Sequence, residues 1–238
     1  MNFLQNPSSL EKYILEQNLY YISDKDNLII LVDRDTHYLG YYYLIKEDNN
    51  FNFSIDKNIV FEYSYNTLRY DSSIEDILNK MNFKELNNRT SLSLDLNNID
   101  RNFDFEKIDN SFLDEIYNCI LENFNPYYGC IKRKDELLKS IENNEIFPHI
   151  DYNELVGFIE FSKKRNIFTI DHFCVFNKYK NMGYGSKILS SFIEYSSCEN
   201  IKKIDLFVLD NNISAINVYK KMNFKETKIK SKIFMKEV

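Results

Sequence analysis

Residues 175–189 read VFNKYKNMGYGSKIL, and the reading of this stretch decides the fold. It joins an apolar run, IFTIDHFCVF at 167–176, to a segment whose apolar residues Ile188, Leu189, Phe192 and Ile193 recur at helical spacing. A strand therefore passes through a loop into an amphipathic helix. The chain has five glycines, at 40, 129, 157, 183 and 185, and two of them stand one residue apart at this junction. Glycine lets backbone approach a ligand closely, and the unpaired N–H groups of a helix N-terminus favour an anion such as a pyrophosphate. Lys178, Lys180 and Lys187 surround the loop, and each reads either as a phosphate partner or as a solvated surface lysine.

Downstream, KIDLFVL at 203–209 alternates Ile204, Leu206 and Val208 as a strand does, and NISAINVY at 212–219 leads into the hexapeptide KMNFKE, Lys221 to Glu226. The same hexapeptide occupies Lys80 to Glu85. The flanks repeat as well. Ile74, Ile77, Leu78 and Met81 share a helical face before the first copy, and Ile213, Ile216 and Met222 do so less regularly before the second. NRTSLSLDL and KIKSKIFMKEV read as strands after them. Each copy predicts a helix, a sharp turn at Asn-Phe and a strand, which makes the chain an internal duplication.

Two earlier stretches, DTHYLGYYYLI around Gly40 and DYNELVGFIEF around Gly157, read as matching hairpin arms. On these anchors the stretch from Gly40 to Lys80 answers to that from Gly157 to Lys221, and the first copy is much the shorter. What it lacks, between its hairpin and its last helix, has the size of the glycine loop with much of the helix that follows. The expected domains are 1–96 and 97–238, joined by DLNNIDRNFD at 95–104 as a linker without periodic pattern. Ser8 and Glu11, at capping-box spacing, open a helix with Leu10, Tyr13 and Ile14 on one face. In the second copy Phe112, Ile116, Tyr117, Ile120 and Leu121 mark one helix and Leu137, Leu138 and Ile141 another, with the turn NPYYG between them.

With 44% hydrophobic and 28% charged residues, the composition is that of an ordinary globular protein. No apolar run reaches the roughly 20 residues of a membrane span, and MNFLQNPSSLEKY lacks a secretory pattern, so a cytoplasmic location is expected. Cys119, Cys130, Cys174 and Cys198 are scattered without C-x-x-C spacing, and the three histidines, 37, 149 and 172, are dispersed; no metal is expected. The net charge of −6 argues against nonspecific nucleic-acid binding. Residues 1–96 carry 9 Lys and Arg against 15 Asp and Glu, so all of the excess acidity lies in the first copy, where it suits a cationic partner better than an anionic one.

VFNKYKNMGYGSKIL resembles the acyl-CoA pyrophosphate loop of the GNAT superfamily of N-acetyltransferases, with Lys180 standing where that family has Gln or Arg. LFVLDNNISAINVYKKMNF at 206–224 is similar to the family's closing motif through Asn212, Ala215, Tyr219 and the pair Asn223-Phe224, Asn replacing the usual Gly. The resemblance covers about residues 100–238. It implies a mixed α+β fold of two GNAT-type units, each a mostly antiparallel sheet flanked by helices, the first one incomplete. It further implies acetyl-CoA as donor, bound by Cys174, Val175, Lys180, Asn181, Met182, Gly183, Tyr184, Gly185, Ser186, Asn212 and Ala215, and a small-molecule or peptide amine as acceptor, lined by Tyr127 and Tyr128. Tyr219, neutral at pH 7, is the implied acid for the departing thiolate. For the base, simple strand alternation sends Asp171 to one face and His172 to the other, with Glu160 on the neighbouring strand; Asp171, Glu160, His172 and a water relay all remain open. A non-catalytic acyl-CoA sensor or scaffold is the alternative to an enzyme.

Overall fold

The computed structural model describes residues 2–3, 19–23, 27–34, 36–44 and 56–238. The helix expected around Ser8 to Ile14 lies outside them. The strands are β1 (Asn2–Phe3), β2 (Leu19–Ser23), β3 (Asn27–Asp33), β4 (Tyr38–Leu44), β5 (Ile59–Asn66), β6 (Lys84–Asp95), β7 (Ile146–Asp151), β8 (Glu154–Lys164), β9 (Ile167–Val175), β10 (Lys203–Leu209) and β11 (Lys225–Lys236). The α-helices among the described residues are α1 (Ser73–Lys80), α2 (Leu113–Asn123), α3 (Lys134–Glu142), α4 (Tyr184–Cys198) and α5 (Ile213–Lys221). The chain folds as two compact units, Met1–Arg89 with Lys228–Val238, and Thr90–Thr227. No helix among the described residues is long and apolar enough to cross a membrane.

In the first unit β2, β3 and β4 are antiparallel, β4 and β5 are parallel through Tyr38↔Ile59 and Leu39↔Val60, and β5 pairs antiparallel with β11. Helix α1 buries Ile77 and Leu78 in a core with Leu31, Phe61, Phe83 and Phe234.

In the second unit the strand order is β6-β10-β9-β8-β7, with β7, β8 and β9 antiparallel and β9 parallel to β10. The apolar stripes of α2 and α3 bury Ile116, Ile120, Leu137 and Ile141 with Leu155 and Phe158 of β8. That of α4 buries Ile188, Leu189 and Phe192 with Ile159, Phe161 and Phe168. Since β8 residues 158 and 159 point to opposite faces, the sheet carries α2 and α3 on one face and α4 on the other.

The repeated hexapeptide is a helix stop built twice. Asn82 and Asn223 adopt φ of +62° and +64°. Phe83 returns its N–H to the Leu78 carbonyl at 2.9 Å, and Phe224 to that of Tyr219 at 3.1 Å. Asn82 bonds Asn79 and Asn223 bonds Lys220, at 3.0 and 3.1 Å. These paired returns form a Schellman cap, and Asn can replace Gly in it because it tolerates the left-handed region. The Phe of each cap is buried, and Phe224 closes edge-on against Tyr219 with ring centroids 5.5 Å apart.

Three expectations change. Gly40 lies on β4, the strand parallel to β5, whereas Gly157 lies on β8, one strand before the equivalent β9. The two glycines are therefore not matching anchors. The parallel partners give better ones: Tyr38↔Ile59 in the first unit answers to Ile167↔Lys203 in the second. On them the first unit is still the shorter, but by less than the glycines suggest. Next, the stretch 95–104 is packed rather than free. Leu96 and Ile99 bond the carbonyls of Lys202 and Ser197, and Phe103 and Phe105 lie 6.0 and 4.8 Å from the Tyr195 ring. Two aromatics anchor it without any periodic pattern. Finally, β7 gives no strand signal in the sequence because Pro148 interrupts it, yet β7 is the edge strand, where a proline is tolerated.

Candidate active site

The β9–β10 ladder runs from Ile167↔Lys203 to Ile170↔Leu206 and stops, although β9 continues to Val175 and β10 to Leu209. Phe176 donates its N–H to the Val156 carbonyl of β8 at 2.9 Å. Successive residues of a strand turn their backbone groups to opposite sides, so Cys174 also faces β8, while Phe173 and Val175 turn N–H and C=O toward β10, past the end of its pairing. Phe173 and Val175, and not Cys174, thus have backbone groups that face away from β8. That difference follows from strand register, which the sequence does not display.

The alternation expected for Asp171 and His172 also fails. Glu160 pairs with His172 but Phe161 pairs with Ile170, which leaves Asp171 as the extra residue of a bulge in β9. Before the bulge Phe168 and Ile170 join the α4 core. After it Phe173 and Val175 do, while Cys174 joins the α2–α3 core. Asp171 and His172 consequently share the α2–α3 face with Glu160 and Lys132. The Lys132 ammonium lies 2.7 Å from Glu160 Oε1 and 3.9 Å from Asp171 Oδ2. His172 Nδ1 lies 2.6 Å from Glu160 Oε2, and its Nε2 lies 2.8 Å from the Gly129 carbonyl.

The two carboxyls differ sharply. Burial pushes the Asp171 carboxyl up to about 6, the nearby Glu160 charge adds to the rise, and Lys132 opposes it. Asp171 keeps 27% of its side chain exposed. Burial works to raise Glu160 too, but the His172 hydrogen bond and the Lys132 charge outweigh it and hold that carboxyl at about 2. Glu160 is 0% exposed. Its two oxygens face Lys132 and His172. His172 has both ring nitrogens occupied.

On the opposite face Tyr219 is buried among Phe173, at 6.3 Å between ring centroids, and Phe224. Burial, with a contribution from Cys174, raises its hydroxyl above the ordinary tyrosine value, so it remains protonated. Asn212 caps α5 by accepting the Ala215 N–H at 3.2 Å, which fixes the helix that carries Tyr219.

The glycine loop leads into α4. Asn181 and Gly183 have φ of +63° and +84°, and Gly183 caps the helix. A Cβ at Gly183 would meet nothing within 4 Å, so the backbone conformation and not crowding calls for glycine there. Met182 is exposed, and Tyr184, Gly185 and Ser186 open the first turn, whose N–H groups have no preceding helical carbonyls to bond. The loop lysines are tethered: Lys178 pairs with Glu154, Lys180 with the Asn123 side chain, and Lys187 lies 3.8 Å from Asp151, which also takes the Tyr184 hydroxyl. Tyr127 and Tyr128 are half-buried in the turn after α2, whose Gly129 carbonyl is the one bonded to His172.

The Acetyltransferase (GNAT) family model matches residues 112–224. A GCN5-related N-acetyltransferase from Sphaerobacter thermophilus has a similar structure, with a TM-score of 0.62 at 8% identity over 97% of this chain and 85% of that one. An acetyltransferase of the GNAT family from Colwellia psychrerythraea gives 0.55 at 11% identity over 100% and 99%. A tandem GNAT protein from the clavulanic acid biosynthesis pathway gives 0.57 at 8% identity over 93% and 84%. At such identities the likeness is one of fold. A comparison with curated protein sequences gives no match. The fold is that of GNAT proteins, and residues 112–224 match the acetyltransferase model of that family.

Proposed function

We propose that the second unit transfers an acetyl group from acetyl-CoA to a primary amine of a small molecule or peptide. The observation that carries this reading is the pair of proton-handling groups on the two faces of β9 where its ladder to β10 ends. Asp171, raised to about 6, stands on one face and protonated Tyr219 on the other. The residues present fit acetyl-CoA: Phe173 and Val175 offer backbone groups past the end of the ladder, and the first turn of α4 offers N–H groups behind the left-handed Gly183. When bound, acetyl-CoA supplies the acyl group as a thioester open to attack by an amine. Asp171 takes the proton that the amine loses as its nitrogen bonds to the acyl carbon. Phe173 and Val175 N–H groups hold the acyl oxygen, and Tyr219 gives its proton to the sulfur as the carbon–sulfur bond breaks. Release of free thiol from acetyl-CoA, measured against polyamines, aminoglycosides and peptide N-termini, tests the reading. Binding without release under every amine would leave the sensor alternative.

Gly183→Val is expected to raise the CoA dissociation constant at least about tenfold, because a β-branched residue does not settle at φ +84° and the loop must reshape. Calorimetric titration checks it, and unchanged affinity would remove the loop from the binding site.

The first unit is read as a reduced GNAT-type copy. Its parallel β4–β5 pair is joined by less chain, from Tyr38 to Ile59, than the β9–β10 pair, from Ile167 to Lys203. Leu78 also occupies the helix-cap position that Tyr219 holds in the second unit. The expected stoichiometry is one CoA per chain. Two equivalents in the same titration would show that the first unit binds as well.

A further inference from the structure

Glu160 and His172 are the two charged or ionisable side chains most deeply enclosed in the second unit, at 0% and 1% exposed, and the proposed chemistry uses neither. Their bonds limit where the protons can be. A carbonyl oxygen can only accept, so His172 Nε2, 2.8 Å from the Gly129 oxygen, carries a proton. Glu160 has the Lys132 ammonium 2.7 Å from its other oxygen and is a carboxylate, which also can only accept. His172 Nδ1 lies 2.6 Å from the remaining Glu160 oxygen, a contact that calls for a proton between them. Both ring nitrogens are engaged, and the Phe124 ring closes edge-on beside the imidazole at 4.7 Å.

The acceptor of one of those bonds belongs to a tight turn. Gly129 donates its N–H to the Asn125 carbonyl at 2.6 Å, and Tyr127 donates to Asn125 Oδ1 at 2.9 Å. A Cβ at Gly129 would lie 2.5 Å from the Asn125 oxygen and 2.7 Å from Phe124 Cβ, so the turn closes only around a glycine. Tyr127 and Tyr128 ride on it.

We propose that His172 is a positioning residue: its doubly protonated ring ties the Gly129 carbonyl to the Glu160 carboxylate and so sets where Tyr127 and Tyr128 stand relative to Asp171. In that doubly protonated state His172 and Lys132 balance Glu160 and ionised Asp171 at the bulge. That the tyrosines line an acceptor site rests on the acetyltransferase reading. The clamp itself does not.

The test has two arms on the full chain. Ring-nitrogen NMR at neutral pH resolves three histidines, 37, 149 and 172, and His172→Gln assigns the last. Both nitrogens of His172 are expected to carry slowly exchanging protons. A bare ring nitrogen on His172 overturns the clamp, whatever the variant's own stability. In the second arm, Gln carries its amide hydrogens on a single nitrogen and cannot span both acceptors as the ring does. Amide exchange at residues 127–131 of the variant is expected to quicken at least about tenfold while α4 keeps its protection and acetyl-CoA affinity stays nearly unchanged. No change at the turn, or an equal rise in α4, overturns the positioning role. Failure of the native chain to bind acetyl-CoA would instead defeat the acetyltransferase reading and leave the two ring protons to report on the clamp.

Discussion

Tyr219→Phe is expected to lower kcat about 10- to 1000-fold and leave acetyl-CoA affinity almost unchanged. The substitution removes one oxygen and keeps the ring, which packs against Phe173 and Phe224 at 6.3 and 5.5 Å. Folding and binding should therefore survive. What disappears is a hydroxyl that burial keeps protonated and that, in the proposed reaction, gives its proton to the sulfur only as the carbon–sulfur bond breaks. An interaction made only in the transition state lowers kcat and kcat/KM together. Steady-state turnover beside calorimetric titration separates the two quantities, and undiminished turnover would remove Tyr219 as the acid.

Asp171→Asn is expected to lower kcat/KM about 10²- to 10³-fold at neutral pH, since the proposed base is lost outright. The native enzyme should also show the base in its pH profile. A general base works deprotonated, so activity should climb as pH rises through about 6 and level off above it. Lys132, 3.9 Å away, opposes the upward shift, so neutralising it as Lys132→Met should move the rising limb to higher pH. In Asp171→Asn that limb should vanish along with most of the rate. A native profile flat from pH 5 to 7 would exclude Asp171 and return the choice to a water relay.

Much of this protein is legible in short stretches of its sequence. Helix α4 follows from Ile188, Leu189 and Phe192 at helical spacing, and β10 from the alternation of Ile204, Leu206 and Val208, all of them buried. The helix stop at each KMNFKE is equally local, because the cap is a matter of six residues and one left-handed Asn. The glycine loop before α4 and the tyrosine on α5 are motifs of the same kind, complete within a few turns of chain. Such features depend on backbone preference and on side-chain periodicity along one segment, and both are written in order along the sequence.

The chemistry at β9 is different in kind. Whether Asp171 and His172 share a face depends on how β9 pairs with β8, and one extra residue opposite Glu160–Phe161 reverses the answer. Whether Cys174 or Phe173 offers its N–H depends on which neighbour is hydrogen-bonded and where the β10 ladder ends. The opposite fates of Asp171 and Glu160, about 6 and about 2, come from burial and from a lysine and a histidine brought in by other segments. Residue types and spacing by themselves determined α4, β10, the helix stops and the loop, and the resemblance supplied the candidate acid. Only the tertiary structure decided which carboxylate stays partly exposed and which is enclosed, because register and desolvation are properties of strands and loops packed together and exist in no single stretch of chain.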